Sequence, residues 1–507
     1  MLDKLSIFEG MNYMDSNINK LLEDNFIENP KKTALIFEDE KYSYEDILIK
    51  RKDLEQLIIN LNCSETDRVL IISENTSELV PLIFSLAHLN ICFSIISKNI
   101  EPSQIIDNFN PKLIFVIDED YNYQFSMHKK LEITIGNIQL FHSTRIEKKK
   151  EYFSLKCLCV IYTSGSTGTP KGVGISNENV MFTTKRINEY IQNNKEDVIL
   201  SYLPITFDYG MYQIFLSFYA HATLVLGRYP LFPGEIFNDI RKYNVTGFPG
   251  IRGILDVFRL HVNYEDVKSL RYITNTGDYF NMTIIDKLKK VNSNLNFFLM
   301  YGLTECKRVS ILDFNRYPDK RESVGFPLRD VEAKILSGNY ECAPYEIGTL
   351  YVKGRNVCLG YFNNLNETTK YFSGNSFKTK DLFYKDKDGF LYFVGRKDSN
   401  FKNKGHIISK EYLELKIKKM LEFCDSFVVY LLDKKEFYVV SYITEFNSNA
   451  EDVNFFKKKF IKKYLQLFYD WEIPKEFVFF YGHHPINQNG KVDRKSIEKE
   501  LNVREKI

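Results

Sequence analysis

Residues 162–176 read YTSGSTGTPKGVGIS, and this stretch gives the strongest indication of how the 507-residue chain folds. The apolar run CLCVI precedes it at 157–161, so we expect a β-strand to lead directly into it. Its glycines permit a tight turn whose backbone N–H groups can point at phosphate oxygens, while its hydroxyls and Lys171 add donors and a positive charge. A Walker A loop is excluded, because Lys171 is followed by Gly172 rather than by Ser or Thr. The pattern indicates a phosphate-binding turn rather than a flexible linker.

The segments on both sides of this turn alternate between helical and β-type patterns. Upstream, residues 45–61 have helical apolar spacing, 69–72 form a short β-type run, and 113–117 have the pattern of a strand. The alternation continues to about residue 300, and short β segments separated by Gly and Asn turns follow at 331–395. We therefore predict an α/β fold of layered, largely parallel sheets with flanking helices.

A charged, weakly apolar segment, RKDSNFKNKG at 396–405, is the best candidate for a domain boundary. Helix and strand patterns alternate again after it, over a length that suits a small α+β domain. We expect an N-terminal core over 1–396 with a β-rich subdomain at 331–396, followed by a C-terminal domain over 399–507.

Composition excludes several classes of function. The 68 Lys and Arg residues against 66 Asp and Glu residues argue against a nucleic-acid binder that works by bulk charge. The eight cysteines follow no repeated metal-ligand spacing, which predicts reduced thiols. The first ten residues lack the apolar core of a signal peptide, and polar residues interrupt the most apolar stretch, 79–96, so that we expect a buried helix and strand there. We expect a cytoplasmic protein with no nucleic-acid or membrane partner.

Four further motifs follow the glycine-rich turn. They are YGLTE at 301–305, TKDL at 379–382, GRKD at 395–398 and NGKVDR at 489–494. With these five motifs in this order, nearly the whole chain resembles the AMP-forming adenylating enzymes, the superfamily of acyl-CoA synthetases, adenylation domains and luciferases. The resemblance implies an enzyme that uses ATP and Mg²⁺ to activate a carboxylic acid.

In such a reaction a carboxylate attacks the α-phosphorus of ATP, and the products are an acyl-adenylate and pyrophosphate. Charge develops on the phosphates, so the site needs cations and donors aimed at them. The resemblance implies that Lys491, Lys171 and Thr304 are catalytic and that Glu305 binds Mg²⁺, a hard ion that prefers carboxylate and phosphate oxygens. It further implies that Tyr301 stacks on adenine and that Asp381 and Arg396 bind the ribose. The complete set implied for ATP and AMP is Thr163, Ser164, Gly165, Ser166, Thr167, Gly168, Lys171, Met300, Tyr301, Gly302, Thr304, Asp381, Arg396 and Lys491.

The resemblance also implies a second half-reaction. A mobile C-terminal domain would turn about a hinge near 397–399, at Asp398, after the adenylate has formed. The turn would withdraw Lys491 and bring the loop near 402–408 against the core. A phosphopantetheine thiol would then attack the adenylate, leaving a thioester and releasing AMP.

The segment LPITFDYGMYQIF at 203–215 is similar to the stretch that lines the substrate pocket of these enzymes. By the same resemblance Asp208 would pair with the α-ammonium of an amino acid, because a buried carboxylate needs a cationic partner. Arg308 leaves this open, since it could neutralise Asp208 itself or hold a second carboxylate or polar substituent of the substrate. Tyr209 and Tyr212 could also be core aromatics. The implied pocket consists of Asp208, Tyr209, Tyr212, Gly247, Thr274, Thr276, Met300, Arg308 and Val309.

The sequence contains no Leu-Gly-Gly-x-Ser-type attachment site for phosphopantetheine, so we expect the acceptor thiol to come from another molecule. An Asp in the pocket favours a stand-alone amino acid–carrier protein ligase, with a phosphopantetheinylated carrier protein supplied in trans. The alternatives are an acyl-CoA ligase for a small organic acid, a non-catalytic sensor of ATP or AMP, and an oxidative, light-emitting member of the same fold.

Overall fold

The fold is taken from a computed structural model. It describes residues 17–118, 120–132, 138–144, 156–163, 170–228, 230, 232–259, 262–277, 280, 282–397, 399–404, 406–420, 424–431, 434–443, 450–486 and 492–504. Of the predicted site residues, the following lie outside the described residues: Ser164, Gly165, Ser166, Thr167, Gly168, Asp398 and Lys491.

The first sheet has nine strands, and its six central strands run parallel. Antiparallel strands close both edges. In order across the sheet the strands are Phe326–Pro327, Cys306–Asp313, Asn296–Leu303, Tyr272–Thr276, Gly247–Gly250, Val198–Ser201, Thr223–Leu226, Thr33–Phe37 and Glu40–Ser43.

The second sheet has eight strands with four parallel strands at its centre. The strand at 68–72 is buried along its whole length, as expected for a strand covered on both faces. In order the strands are Gly360–Tyr361, Lys171–Ser176, Cys157–Thr163, Cys92–Ile96, Arg68–Ile72, Leu113–Ile117, Ile138–Ser143 and His128–Lys130.

Helices pack against both sheets, and a single apolar cluster contains residues of the two sheets and of the helices. The helix at 79–88 is apolar all round and almost entirely buried, and a strand follows it at 92–96, as predicted. The α-helices are Asn19–Glu28, Tyr44–Asn60, Leu79–His88, Ser103–Phe109, Asn177–Ile191, Asp208–Tyr219, Pro233–Lys242, Arg252–Leu255, Tyr264–Val267, Met282–Val291, Leu365–Tyr371, Lys410–Met420, Ala450–Leu467 and Arg494–Arg504. Short 3₁₀ helices occupy Asp256–Arg259, Pro318–Lys320 and Asp470–Glu472.

A third, six-stranded antiparallel sheet occupies the segment that the sequence predicts to be β-rich. Its strands are Tyr340–Glu341, Val331–Ser337, Gly348–Gly354, Ser376–Lys385 and Phe372–Ser373 in order, with Leu391–Arg396 paired to Ser376–Lys385. The parallel sheets and flanking helices of the α/β prediction are confirmed.

After residue 399 the chain forms a hairpin, Asn400–Asn403 with His406–Ser409, and a three-stranded sheet, Cys424–Leu431, Glu436–Ile443 and Glu476–Tyr481. Alternate side chains of this sheet enter two different apolar clusters, because successive strand residues point to opposite faces. These clusters share no residue with the cores around the three N-terminal sheets. Across the described ranges, no helix has the length and apolarity needed to cross a membrane.

The separate C-terminal core predicts a position-dependent stability effect along one helix. Phe460 is fully buried and Phe455 is 69% exposed, and both lie on Ala450–Leu467. Phe460→Ala should cost about 3–5 kcal/mol of unfolding free energy, because it leaves a cavity. Phe455→Ala, the matched control, should stay within about 0.5 kcal/mol. Urea unfolding followed by the fluorescence of Trp471, the single tryptophan, checks this, and equal losses in the two variants would contradict the packing.

Candidate active site

The glycine-rich turn connects two antiparallel strands of the second sheet. Thr163, at the end of one strand, lies opposite Lys171, at the start of the next, and the Thr163 hydroxyl donates to the Lys171 carbonyl over 3.3 Å. Gly172 packs against Val160 so closely that a Cβ at 172 would lie 2.6 Å from its side chain. A strand therefore leads into the turn, as predicted, and Thr163 and Lys171 stand together at its base.

Lys171 and Glu305 lie near the same tyrosine. The Lys171 ammonium pairs with Glu367 at 2.6 Å and lies 5.4 Å from the centre of the Tyr361 ring. The Tyr361 hydroxyl donates to Glu305 Oε1 over 2.8 Å. Lys171 lowers the pKa of the Glu367 carboxyl, mainly through their hydrogen bond. The predicted phosphate lysine and the predicted Mg²⁺ ligand thus both neighbour Tyr361.

Sequence analysis missed Tyr361 and Glu367. Tyr361 reaches Lys171 because the short strand at 360–361 adds to the second sheet beside the strand at 171–176. Glu367 lies in the first turn of the helix that follows. Neither residue belongs to a motif that the sequence analysis used, and only the long-range strand pairing brings them to the turn.

Three predicted nucleotide residues from three different motifs meet on the far side of the YGLTE segment. The Tyr301 hydroxyl donates to Asp381 Oδ2 over 2.6 Å, and Arg396 Nε donates to Asp381 Oδ1 over 3.0 Å. Asp381 lies opposite Arg396 in the third sheet, so strand register sets their separation. Burial, followed by the charge of Asp381, raises the pKa of Tyr301. Adenine stacking by Tyr301 stays a prediction.

The same segment turns back sharply toward the substrate pocket. Leu303 pairs with Cys306, so the two strands are joined through Thr304 and Glu305 alone. A Cβ on Gly302 would lie 2.5 Å from the backbone nitrogen of Arg308, so only glycine fits here. One tight hairpin therefore carries both the nucleotide motif and three residues of the predicted pocket, Met300, Arg308 and Val309.

Asp208 is buried, and its counter-ion is Lys307. Lys307 Nζ donates to Asp208 Oδ2 over 2.6 Å, with side-chain exposures of 3% and 9% respectively. The Thr304 hydroxyl approaches the same oxygen at 3.4 Å. Asp208 is also the first residue of its helix, where the helix dipole favours a negative charge.

The alternative in which Arg308 neutralises Asp208 is wrong, because Asp208 pairs with Lys307 and not with Arg308. It also removes the physical reason for assigning an ammonium to the substrate, since Lys307 already compensates the buried carboxylate. Sequence analysis missed Lys307. Lys307 precedes Arg308 on the same strand, which could have drawn attention to it. Because successive side chains of a strand point to opposite faces, however, the sequence does not predict that both cations are buried.

Arg308 lies among other predicted pocket residues. Its guanidinium donates to the Thr276 hydroxyl over 3.3 Å and lies 4.8 Å from the centre of the Tyr209 ring. Tyr209 in turn shares a hydrogen bond of 2.5 Å with Thr274, and Thr276 donates to the Met300 carbonyl over 2.8 Å. Burial raises the pKa of Tyr209 to about 12, so this hydroxyl stays protonated at neutral pH.

The remaining predicted pocket residues are also buried. Gly247 packs against Tyr272, whose hydroxyl would lie 2.3 Å from a Cβ at 247, Val309 is completely buried, and the Tyr212 ring lies 5.8 Å from the Lys307 ammonium. Thr274, Thr276 and Met300 lie toward the carboxyl ends of neighbouring parallel strands. Ligands of open α/β sheets bind at such strand ends.

The predicted moving parts belong to the C-terminal region. The loop near 402–408 is the hairpin of strands 400–403 and 406–409. Ser399 donates to Glu411 over 2.7 Å and Ser409 donates to the Val394 carbonyl over 3.2 Å, so both ends of the hairpin are tied to their surroundings. The hinge at Asp398 and the role of Lys491 concern residues outside the described ranges and stay predictions.

The chain is similar to known proteins over most of its length. The family model described as AMP-binding enzyme matches residues 22–362. The zwittermicin A synthase ZmaJ of Bacillus cereus is 27% identical over 515 residues, covering 95% of this chain and 94% of that protein. The 2-succinylbenzoate–CoA ligase of Bacillus subtilis is 25% identical over 372 residues, covering 73% and 76%. Gramicidin S synthase 2 of Brevibacillus brevis is 24% identical over 95% of this chain, which spans only 11% of the length of that relative.

Solved structures share the fold. The o-succinylbenzoate CoA synthetase (MenE) from Bacillus subtilis, in complex with its acyl-adenylate intermediate OSB-AMP, superimposes with a TM-score of 0.77 at 21% identity, over 94% of this chain and 98% of that one. Klebsiella oxytoca NpsA in complex with 3-hydroxyanthranilyl-AMSN gives a TM-score of 0.79 at 18% identity, over 96% and 99%.

The buried Asp208–Lys307 pair predicts a strongly non-additive double-mutant cycle. Asp208→Asn and Lys307→Met alone should each cost about 3–5 kcal/mol of unfolding free energy, because each leaves an uncompensated buried charge. The double variant should cost about 0.5–3 kcal/mol less than the sum of the two. Urea unfolding followed by circular dichroism measures all four proteins.

The exposed pair Glu265–Lys268 serves as the control for this cycle, with side-chain exposures of 65% and 49%. Glu265→Gln and Lys268→Met should couple by less than about 1 kcal/mol, as exposed ion pairs do. Additive effects at Asp208 and Lys307 would show that the two charges do not compensate each other.

Proposed function

Because the chain belongs to the AMP-binding enzyme family, we propose that it joins a carboxylic acid to the adenylyl group of ATP and then transfers the acyl group to a thiol. The observation that carries this proposal is the YGLTE segment. Its Tyr301 contacts the Asp381–Arg396 pair, its Glu305 contacts Tyr361 beside Lys171, and its Thr304 contacts Asp208 in the acid pocket. One five-residue segment thus borders three sites that this reaction needs.

In the first half-reaction a carboxylate oxygen of the acid forms a bond to the α-phosphorus of ATP. The bond from that phosphorus to the oxygen leading to the β-phosphate breaks, and pyrophosphate leaves with the electron pair. Thr163 and Lys171 would bind the β- and γ-phosphates, where the leaving charge develops. Thr304 would donate to the α-phosphate, and Lys491 would contact both the acid and the α-phosphate through its compact ammonium.

Glu305 is suited to hold the Mg²⁺ ion that accompanies ATP. Oε1 accepts a hydrogen bond from Tyr361, and within the described ranges Glu305 has no Lys, Arg or His partner in an ion pair. Mg²⁺ is commonly bound through one or two carboxylates plus substrate phosphates and waters. A single well-placed glutamate therefore fits, and the ion would offset the negative charge of the phosphates.

Asp381 and Arg396 would bind the ribose hydroxyls. Asp381 is 2% exposed and is fixed by donors on both oxygens, whereas the Arg396 side chain is 48% exposed. A carboxylate held by two donors is preorganised and loses little conformational freedom when it accepts from a ligand. Because the Tyr301 hydroxyl donates to the same carboxylate, it would connect the ribose site to the YGLTE segment.

For the acceptor we propose the phosphopantetheine thiol of a separate carrier protein. The sequence has no Leu-Gly-Gly-x-Ser-type attachment site of its own, and the chain is similar to a zwittermicin A synthase over nearly the full length of both chains. CoA is the alternative, supported by the match to 2-succinylbenzoate–CoA ligase. Because Lys307 compensates Asp208, we propose an acid that needs no α-ammonium to bind, and an amino acid is the alternative.

ATP–pyrophosphate exchange with pooled carboxylic acids tests adenylate formation. Lys171→Met should lower the exchange rate by about 10²–10³-fold, because one preorganised contact to developing charge is lost. Lys370→Met is the matched control, since Lys370 also contacts Glu367, at 3.6 Å, but is 62% exposed. The control should exchange at the wild-type rate. A wild-type protein that binds ATP but exchanges with no acid would favour the sensor alternative.

The division of labour between the two half-reactions predicts a selective defect in Lys491→Ala. Adenylation should fall by about 100-fold, because a cation at the forming bond is lost. Thioester formation from a supplied acyl-adenylate should continue, because the resemblance places Lys491 away from the site in that step. Lys495→Ala, a nearby lysine in the C-terminal helix, should change neither rate. Equal loss of both half-reactions in Lys491→Ala would refute this division.

A further inference from the structure

Arg308 is a buried cation on the strand at 306–313. It is 6% exposed, and its contacts are the Thr276 hydroxyl and the face of the Tyr209 ring. Its Nε is buried and makes no hydrogen bond. Among the residues that the structure describes, no Asp or Glu forms an ion pair with Arg308, although a buried charge is costly unless it is paired.

Two other buried arginines of this chain pair with carboxylates, and a third, Arg68, donates to the backbone carbonyls of Phe109 and Asn110. Arg51, 4% exposed, pairs with Glu23 and Glu55. Arg186, 9% exposed, pairs with Glu189 and Asp330. These three arginines therefore have carboxylate or carbonyl acceptors, whereas the Arg308 side chain donates, within the described residues, to the Thr276 hydroxyl alone.

The nearest carboxylate of the pocket does not serve Arg308, because Asp208 is paired with Lys307 at 2.6 Å. Counted together, Asp208, Lys307 and Arg308 leave one positive charge. An α-ammonium entering this pocket would add a second positive charge, whereas an additional carboxylate would bring the total to zero.

The backbone at Arg308 is strained as well. Its φ of +45° lies in the left-handed region, which non-glycine residues rarely adopt. The close approach of Gly302, whose Cβ would lie 2.5 Å from Arg308 N, accompanies this conformation. Strained backbone of this kind clusters at ligand clamps and active sites. Burial, strained backbone and the lack of a counter-ion among the described residues thus coincide at one residue of the predicted acid pocket.

We propose that Arg308 binds a second carboxylate of the acid substrate, so that the enzyme activates dicarboxylic acids at the carboxylate remote from Arg308. This proposal rests on the proposed function. The planar guanidinium matches a carboxylate with two parallel N–H donors, and the unused Nε is one of the donors available for such a pair. The hydroxyls of Thr274, Thr276 and Tyr209 surround the site and keep it polar.

The test uses ATP–pyrophosphate exchange with a panel of matched acids. The panel contains the straight-chain dicarboxylic acids from malonate to adipate and 2-succinylbenzoate, each beside its monomethyl ester. With the wild-type protein, kcat/KM for the best dicarboxylic acid should exceed that for its half-ester by about 100-fold, because the half-ester leaves Arg308 unpaired. Comparable rates for diacid and half-ester would overturn the proposal.

Variants separate charge recognition from structure. Arg308→Met should lower kcat/KM for the diacid about 100-fold and leave the half-ester rate within about threefold, because only the second carboxylate loses its partner. Arg308→Lys should recover part of the diacid rate, since it restores the charge but not the planar fork. Equal loss with both acids in Arg308→Met would contradict recognition by Arg308.

Thermal unfolding shows whether Arg308 stabilises the fold, which activity measurements alone do not show. Arg308→Met should fold with an unchanged or raised midpoint, because it replaces an uncompensated buried charge by an apolar side chain. Arg316→Met is the control, since Arg316 is exposed and its guanidinium lies over a tyrosine ring, 5.3 Å from its centre. It should alter neither the midpoint nor the acid preference. A large drop in the midpoint of Arg308→Met would assign Arg308 a structural role instead.

The exchange assay distinguishes a failure of the role proposed for Arg308 from a failure of adenylate formation. Exchange that occurs only with monocarboxylic acids or neutral amino acids would remove the role of Arg308 and leave adenylate formation intact. No exchange with any member of the panel or with a wider pool of acids would remove both.

Discussion

The buried ion pair between Asp208 and Lys307 sets the charge of the acid pocket, and the account of the substrate depends on it. Taken alone, a carboxylate at the start of a buried helix would demand a cation from the ligand. With Lys307 at 2.6 Å the demand is met from within the chain. The pair is neutral, and Arg308, the residue after Lys307, forms no ion pair with any of the described residues. In the proposed function, substrate recognition therefore depends on the positive charge of Arg308 rather than on the negative charge of Asp208.

The hairpin formed by the strands at 296–303 and 306–313 brings this pocket to the nucleotide motif. Tyr301 and Glu305 belong to the predicted nucleotide site, and Arg308 belongs to the predicted acid pocket. Only Thr304 and Glu305 separate the paired Leu303 and Cys306. Gly302 permits the backbones to approach where no Cβ could fit. In the proposed function, this short hairpin would hold the acid and the α-phosphate in reacting geometry, because it carries the contacts to both.

Sequence patterns predicted the parallel sheets and the β-rich segment well, because both depend on local periodicity and turn residues. The segment 113–117, for example, has the pattern of a strand and forms a strand with the same bounds. The same patterns could not predict Lys307 as the partner of Asp208, since 99 residues separate them and only the packing of helix 208–219 against the hairpin brings them together. Tyr361 and Glu367 escaped prediction for the same reason. The meeting of Tyr301, Asp381 and Arg396 agrees with the resemblance, whereas the placement of Lys491 rests on the resemblance alone.

The most direct test of the central claim follows an oxygen atom from the acid to the nucleotide. An acid labelled with ¹⁸O in its carboxylate is incubated with the protein, ATP, Mg²⁺ and hydroxylamine, which captures the acyl group, and the AMP is analysed by mass spectrometry. If the carboxylate attacks the α-phosphorus, the bridging oxygen stays with the phosphate, and the AMP carries one ¹⁸O atom. Unlabelled AMP, or label in inorganic phosphate together with ADP, would contradict the account.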